Sequence, residues 1–110
     1  MPSEIHLPDI RRALIQGRMF WKKHALERMM ERNISRHAIK QAILDGEIIE
    51  EYPADYPIPS MLMAVLEPEP LHVVLAWDGK RKTCHIITVY RPDLQYFEPD
   101  LVSRRNQWIH

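Results

Sequence analysis

Cysteine, glycine and net charge are all scarce in this chain of 110 residues. Its one cysteine, Cys84, excludes an internal disulfide, and the lack of a Cys-x-x-Cys pair excludes a zinc-ribbon framework. That usage matches a reducing, cytoplasmic setting, which is the compartment expected. The glycines, Gly17, Gly46 and Gly79, stand too far apart to build a phosphate-cradling loop. Long hydrophobic runs are missing as well. The longest uncharged stretch, Tyr56–Leu66, contains Pro57 and Pro59 and is too short to span a bilayer, so no membrane association is expected. Glu4 and Asp9 interrupt the segment where a secretory signal would carry its apolar core. Neither sign of charge dominates: 15 basic and 15 acidic residues balance to zero, which excludes a polycationic tail protein.

What remains is ordinary globular material. Hydrophobic residues make up 45% and charged residues 27%, enough for one modest core in a single domain spanning residues 1–110. The zero balance hides blocks of like charge along the chain. Arg11, Arg12, Arg18, Lys22, Lys23, Arg28, Arg32, Arg36 and Lys40 face only Glu27 and Glu31 across residues 11–40. Residues 45–69 then hold seven acids and no Lys or Arg, and Lys80, Arg81, Lys82 and Arg91 return the chain to positive. Such blocks act through local fields: they either meet an anion or neutralise each other in the fold.

The pattern predicts helices over about residues 9–46 and a sheet over about 47–91. Asp9 is the expected N-cap of a helix over Ile10–Gln16, with Gly17 as its stop. A second helix is expected from Phe20 to Arg32, its apolar stripe supplied by Leu26, Met29 and Met30 and its end closed by Asn33. Ser35 should cap a third, with Ile39, Ala42 and Ile43 inward and Gly46 at its end. Glu47–Tyr52, Met61–Leu66, Leu71–Trp77 and Thr83–Tyr90 read as strands. Short connections favour an antiparallel four-stranded meander with the helices on one face, an α+β fold. The tail, 92–110, carries Tyr96, Phe97 and Trp108 and should dock in part. Cys84 reads as a buried small hydrophobe, and Met29, Met30, Met61 and Met63 as core filling.

Chemistry concentrates in a few places. His24 and Arg28 sit one helical turn apart, so imidazole and guanidinium can approach one phosphate, with Arg32 roughly a turn further on. RNA cleavage needs a base, an acid and positive charge on the phosphate oxygens, which histidine and arginine supply. The same spacing also suits a solvated face with helical ion pairs. His72 and His85 lie in neighbouring strands. A two-residue turn at Asp78-Gly79 would set them opposite each other, whereas a loop running through Lys82 would break that register. His72 is a second proton-transfer candidate or a hydrogen-bonded structural residue. Tyr90 and Arg91, at the end of the last strand, are placed to orient RNA or to finish the core. Lys80, Arg81 and Lys82 form a basic hairpin tip that can meet nucleic acid. No supporting ligand spacing points to a metal or other cofactor.

The string His24-Ala25-x-x-Arg28-Met29-x-x-Arg32, followed by Ile34-Ser35, Gly46 to Pro53, Leu71 to Val74 and Ile87 to Asp93, resembles a bacterial family called domain of unknown function 4258. That family is similar to the RelE/ParE toxin superfamily. The resemblance implies a metal-independent, toxin-type endoribonuclease acting on mRNA, free or at the ribosome, and held by an antitoxin protein. The resemblance points to His24, Arg28, Arg32, His72 and Tyr90; the expected site takes His24, Arg28, His72 and Tyr90 as catalytic groups, and adds to Arg32 the cations Lys80, Arg81, Lys82 and Arg91 on the RNA. A non-catalytic protein- or nucleic-acid-binding module is the alternative.

Overall fold

The computed structural model describes residues 6–105. Helix α1 runs Leu7–Ile15, strand β1 Met19–Trp21, helix α2 Lys23–Arg32 and helix α3 Arg36–Asp45; strands β2 to β5 are Glu47–Tyr52, Ser60–Val65, Leu71–Asp78 and Thr83–Tyr90. The α+β expectation holds, and the four expected strands form an antiparallel meander. A fifth strand makes the sheet mixed, in the order β1-β5-β4-β3-β2.

That fifth strand corrects the helix expected from Phe20. Met19, Phe20 and Trp21 pair in parallel with Cys84, His85 and Ile86, and α2 begins only at Lys23. A three-residue strand shows no periodicity, and its partner lies far along the chain, so local pattern gave no sign of it. The start of α1 also moves. Pro8 occupies the first turn, where its fixed φ suits helix entry, so Asp9 falls inside the helix and His6 stands at the N-cap without a side-chain capping hydrogen bond.

Helix ends follow backbone chemistry. Gly17 adopts φ 77°, and the amides of Gly17 and Arg18 bond back to Leu14 and Ala13 to close α1. Asn33, at φ 55°, closes α2 the same way, with Ile34 N–H on the Met29 carbonyl. Ser35 accepts from Ala38 N–H at 3.0 Å and caps α3 as expected.

The three helices cover one sheet face. Ile10, Ala25, Met29, Ile39 and Ile43 pack on Met61, Met63, Val73, Leu75, Ile86 and Val89, and Cys84 is buried among them. Met30 is the exception to the expected core, being 84% exposed on the outer side of α2. Strand alternation turns Leu62, Ala64, His72 and Ala76 to the opposite face. The tail crosses part of that face. Phe97 is buried there and pairs with Arg104 as an isolated bridge. Trp108, also expected to dock, lies outside the described residues.

Candidate functional site

The sheet face away from the helices has two ends with different chemistry. One is sealed. His72 is fully buried and stands directly across from Tyr90. Its Nε2 lies 2.7 Å from the Leu101 carbonyl, its Nδ1 lies 3.2 Å from the Tyr90 hydroxyl, and Phe97 packs edge-on at 4.7 Å between ring centres. Beside this group, Arg104 donates to Glu50 at 2.6 Å, and the Tyr52 hydroxyl donates to the same carboxylate. Burial pushes the His72 imidazole below its ordinary value, against the opposing pull of the Leu101 carbonyl. Burial alone would raise Glu50, but the Arg104 and Tyr52 hydrogen bonds outweigh it and hold the carboxyl below the usual range. The cluster is satisfied internally and covered by the tail.

The other end is open. The 55–59 loop and the 78–82 turn flank a groove of about 900 Å³, floored by Ser60, Ala76, His85 and Ile87. Lys22, Lys80, Arg81 and Lys82 line it, together with Asp9, Asp55 and Asp78. Each acid has protein partners. Asp78 accepts from the backbone amides of Lys80 and Arg81, both at 3.1 Å, and so shapes the turn. Asp55 accepts from the Ser60 hydroxyl, and Asp9 pairs with Arg12 at 3.6 Å. His85 stacks on Phe20, with ring centres 5.2 Å apart and planes 16° from parallel. Burial, then the Lys22 ammonium, lowers its pKa, which favours the neutral ring. Its Nε2 lies 2.9 Å from the Thr83 hydroxyl.

The turn decides which histidine reaches this groove. Asp78 pairs with Thr83, so the connection runs Gly79–Lys82 and closes with Lys82 at φ 56°. Of the two expected alternatives the loop through Lys82 is the one that forms, and it breaks the His72–His85 register: His85 faces Ala76, and His72 faces Tyr90. A slip between Val74 and Leu75 separates the two histidines further in register.

The remaining candidates are spread over other surfaces. His24 is exposed in the first turn of α2, the helix that packs on the other side of the sheet. Arg28 donates to Glu31 at 2.6 Å. Arg32 donates to the Val89 carbonyl at 2.7 Å, on the part of β5 that extends past β1. Arg91 donates to the Arg32 carbonyl at 2.7 Å and so finishes the C-terminus of α2. Arg32, Tyr90, Arg91 and Tyr96 border a smaller hollow of about 460 Å³. The structure thus joins Lys80, Arg81 and Lys82 with His85, and His72 with Tyr90, but gathers His24 and Arg28 with neither.

Much of the basic N-terminal block serves the fold. Arg11 donates to the carbonyls of Ile43 and Gly46 at 3.0 and 2.9 Å, Arg18 to Lys82 at 3.0 Å, and Arg36 lies 5.2 Å over the Trp21 ring. Lys22 as a groove residue, and Phe20 as the ring beside His85, had no signal in the local pattern, because their place depends on β1 pairing with the distant β5.

Among the described residues no group of three or more His, Cys, Asp or Glu is arranged to hold a metal ion, and no helix is long and apolar enough to cross a membrane. Residues 21–91 match the model of a family described as a domain of unknown function (DUF4258). No curated protein and no solved structure matches the chain.

Proposed function

We propose that this chain, which belongs to the domain of unknown function 4258 family, is a nucleic-acid-binding module that uses the open groove beside His85. The observation that carries this reading is the meeting of Lys22, Lys80, Arg81 and Lys82 around one concave surface. Cations from two separate chain segments neutralise several phosphates of one strand, and counterion release makes such binding strongly salt-dependent. Of the acids in the groove, Asp78 serves the same arrangement, since it holds the turn that carries three of the four cations.

The expected similarity of this family to the RelE/ParE toxin superfamily is what points to RNA as the ligand. Cleavage by that route asks His24, Arg28, His72 and Tyr90 to act on one phosphate. With His72 sealed beneath the tail and Arg28 paired to Glu31, binding is the better supported activity.

The test is a titration of labelled RNA oligonucleotide at several salt concentrations. Wild type should bind with affinity falling steeply as salt rises. The triple variant Lys80→Gln, Arg81→Gln, Lys82→Gln should bind weakly and with a shallower salt slope, by about one per lost phosphate contact. The oligonucleotide should stay full-length throughout; strand scission lost in His24→Ala would favour the endoribonuclease instead. Equal affinity in wild type and triple variant would overturn the groove.

A further inference from the structure

His85, in the groove, carries an aromatic neighbour that phosphate binding leaves unexplained. Phe20 is 53% exposed, yet it is held flat by its stack on His85, and neighbouring backbone pairing of β1 with β5 fixes its position. An exposed aromatic ring costs solvation unless something covers it, and a rigid one loses little further entropy when covered. Lys22, just past the end of β1, lines the groove. Tyr56, 94% exposed, stands on the flanking loop of the same groove. Flat rings beside ammonium and guanidinium groups match a ligand that alternates π-faces with phosphates.

We infer that the groove takes single-stranded nucleic acid, with an unpaired base stacked on the outer face of Phe20 while Lys22 and the 80–82 turn hold the flanking phosphates. This deepens the groove assignment above and rests on it. A duplex keeps its bases stacked on each other and cannot offer a free π-face, so the platform selects unpaired strands. A polyanion without bases meets the cations alone.

Three probes separate these terms: an oligouridine, an RNA duplex of the same length, and inorganic polyphosphate. Wild type should prefer the oligouridine to the duplex. Phe20→Ala should lower oligouridine affinity about tenfold, in the range of one lost base–aromatic stack, and leave polyphosphate binding as it was. Phe20→Trp should restore oligouridine binding, and its added indole fluorescence should be quenched by oligouridine but not by polyphosphate. The half-exposed position makes the fold tolerant of both changes, which thermal melting of each variant verifies. If Phe20→Ala binds oligouridine as wild type does while every probe still binds, the platform is wrong and the basic groove stands. If wild type binds none of the three, the groove assignment itself fails.

Discussion

His72 donates from Nε2 to the Leu101 carbonyl across 2.7 Å, which ties the sheet to the C-terminal tail. A carbonyl only accepts, so the proton sits on Nε2 and leaves Nδ1 to accept from the Tyr90 hydroxyl at 3.2 Å. Both ring nitrogens are spent, and Phe97 covers the ring. His72→Ala removes the hydrogen bonds, orphans a carbonyl and opens a cavity, so unfolding free energy should fall by about 2–4 kcal/mol. Urea unfolding measures the loss, and limited proteolysis should show faster cutting of the tail.

The same burial sets a pH dependence. The native His72 ring is held below its ordinary value of 6.5 and stays neutral where the unfolded ring takes a proton. Its contribution is therefore complete above about 6.5 and is lost as pH falls toward the native value. His85, lowered by burial and by Lys22, acts in the same direction and window. Glu50 is held below 4.5, so its contribution is present above that value and disappears as pH drops through the native one. Chemical denaturation across pH should give a first decline below about 6.5, smaller in His72→Gln, and a second below about 4.5 that is reduced in Glu50→Gln.

Gly46 joins α3 to β2 where a β-carbon would run into the carbonyls of Ala42 and Ala64. Its φ of −84° is open to any residue, so the demand is for space rather than for backbone freedom. Gly46→Ala should cost about 1–3 kcal/mol by overpacking, and more if neither carbonyl gives way. Ser35→Ala, which only removes a cap, should cost about 1 kcal/mol. Thermal melts of the two variants rank them.

Burial pushes the Cys84 thiol up to about 12, and the side chain has no exposed surface. The thiolate is the reactive form, so native protein should resist thiol-specific reagents at neutral pH and react fully in denaturant. Mass spectrometry after a short alkylation pulse distinguishes the two.

Arg91 and Arg81 test which cations serve the fold and which the groove. Arg91→Ala unpins the end of α2 and should lower stability by about 1–2 kcal/mol with little change in RNA affinity. Arg81→Ala, on the exposed turn, should do the reverse. A shared effect of both on affinity would bring the hollow at Arg32, Tyr90 and Tyr96 into the binding surface.

The local chemistry of the chain determined the elements that depend on nearby residues. Asn33, Ser35 and the Ile39, Ala42, Ile43 stripe specify the end of α2 and the start and inner face of α3, because capping and helical spacing act within a turn or two. The β-rich runs bounded by proline and glycine gave the strands, with Glu47–Tyr52 and Thr83–Tyr90 ending where expected. Tertiary structure decided what hangs on distant partners. β1 exists because β5 offers it an edge, and only that pairing sets Phe20 on His85 and Lys22 in the groove. The four-residue connection, with Lys82 left-handed, chose the register that sends His72 to Tyr90 and leaves His85 beside the open cavity. Which arginines bind carbonyls and which face outward was likewise decided by where chain ends and strand edges met. A residue's type states what it can bond, and the folded surroundings choose among those bonds.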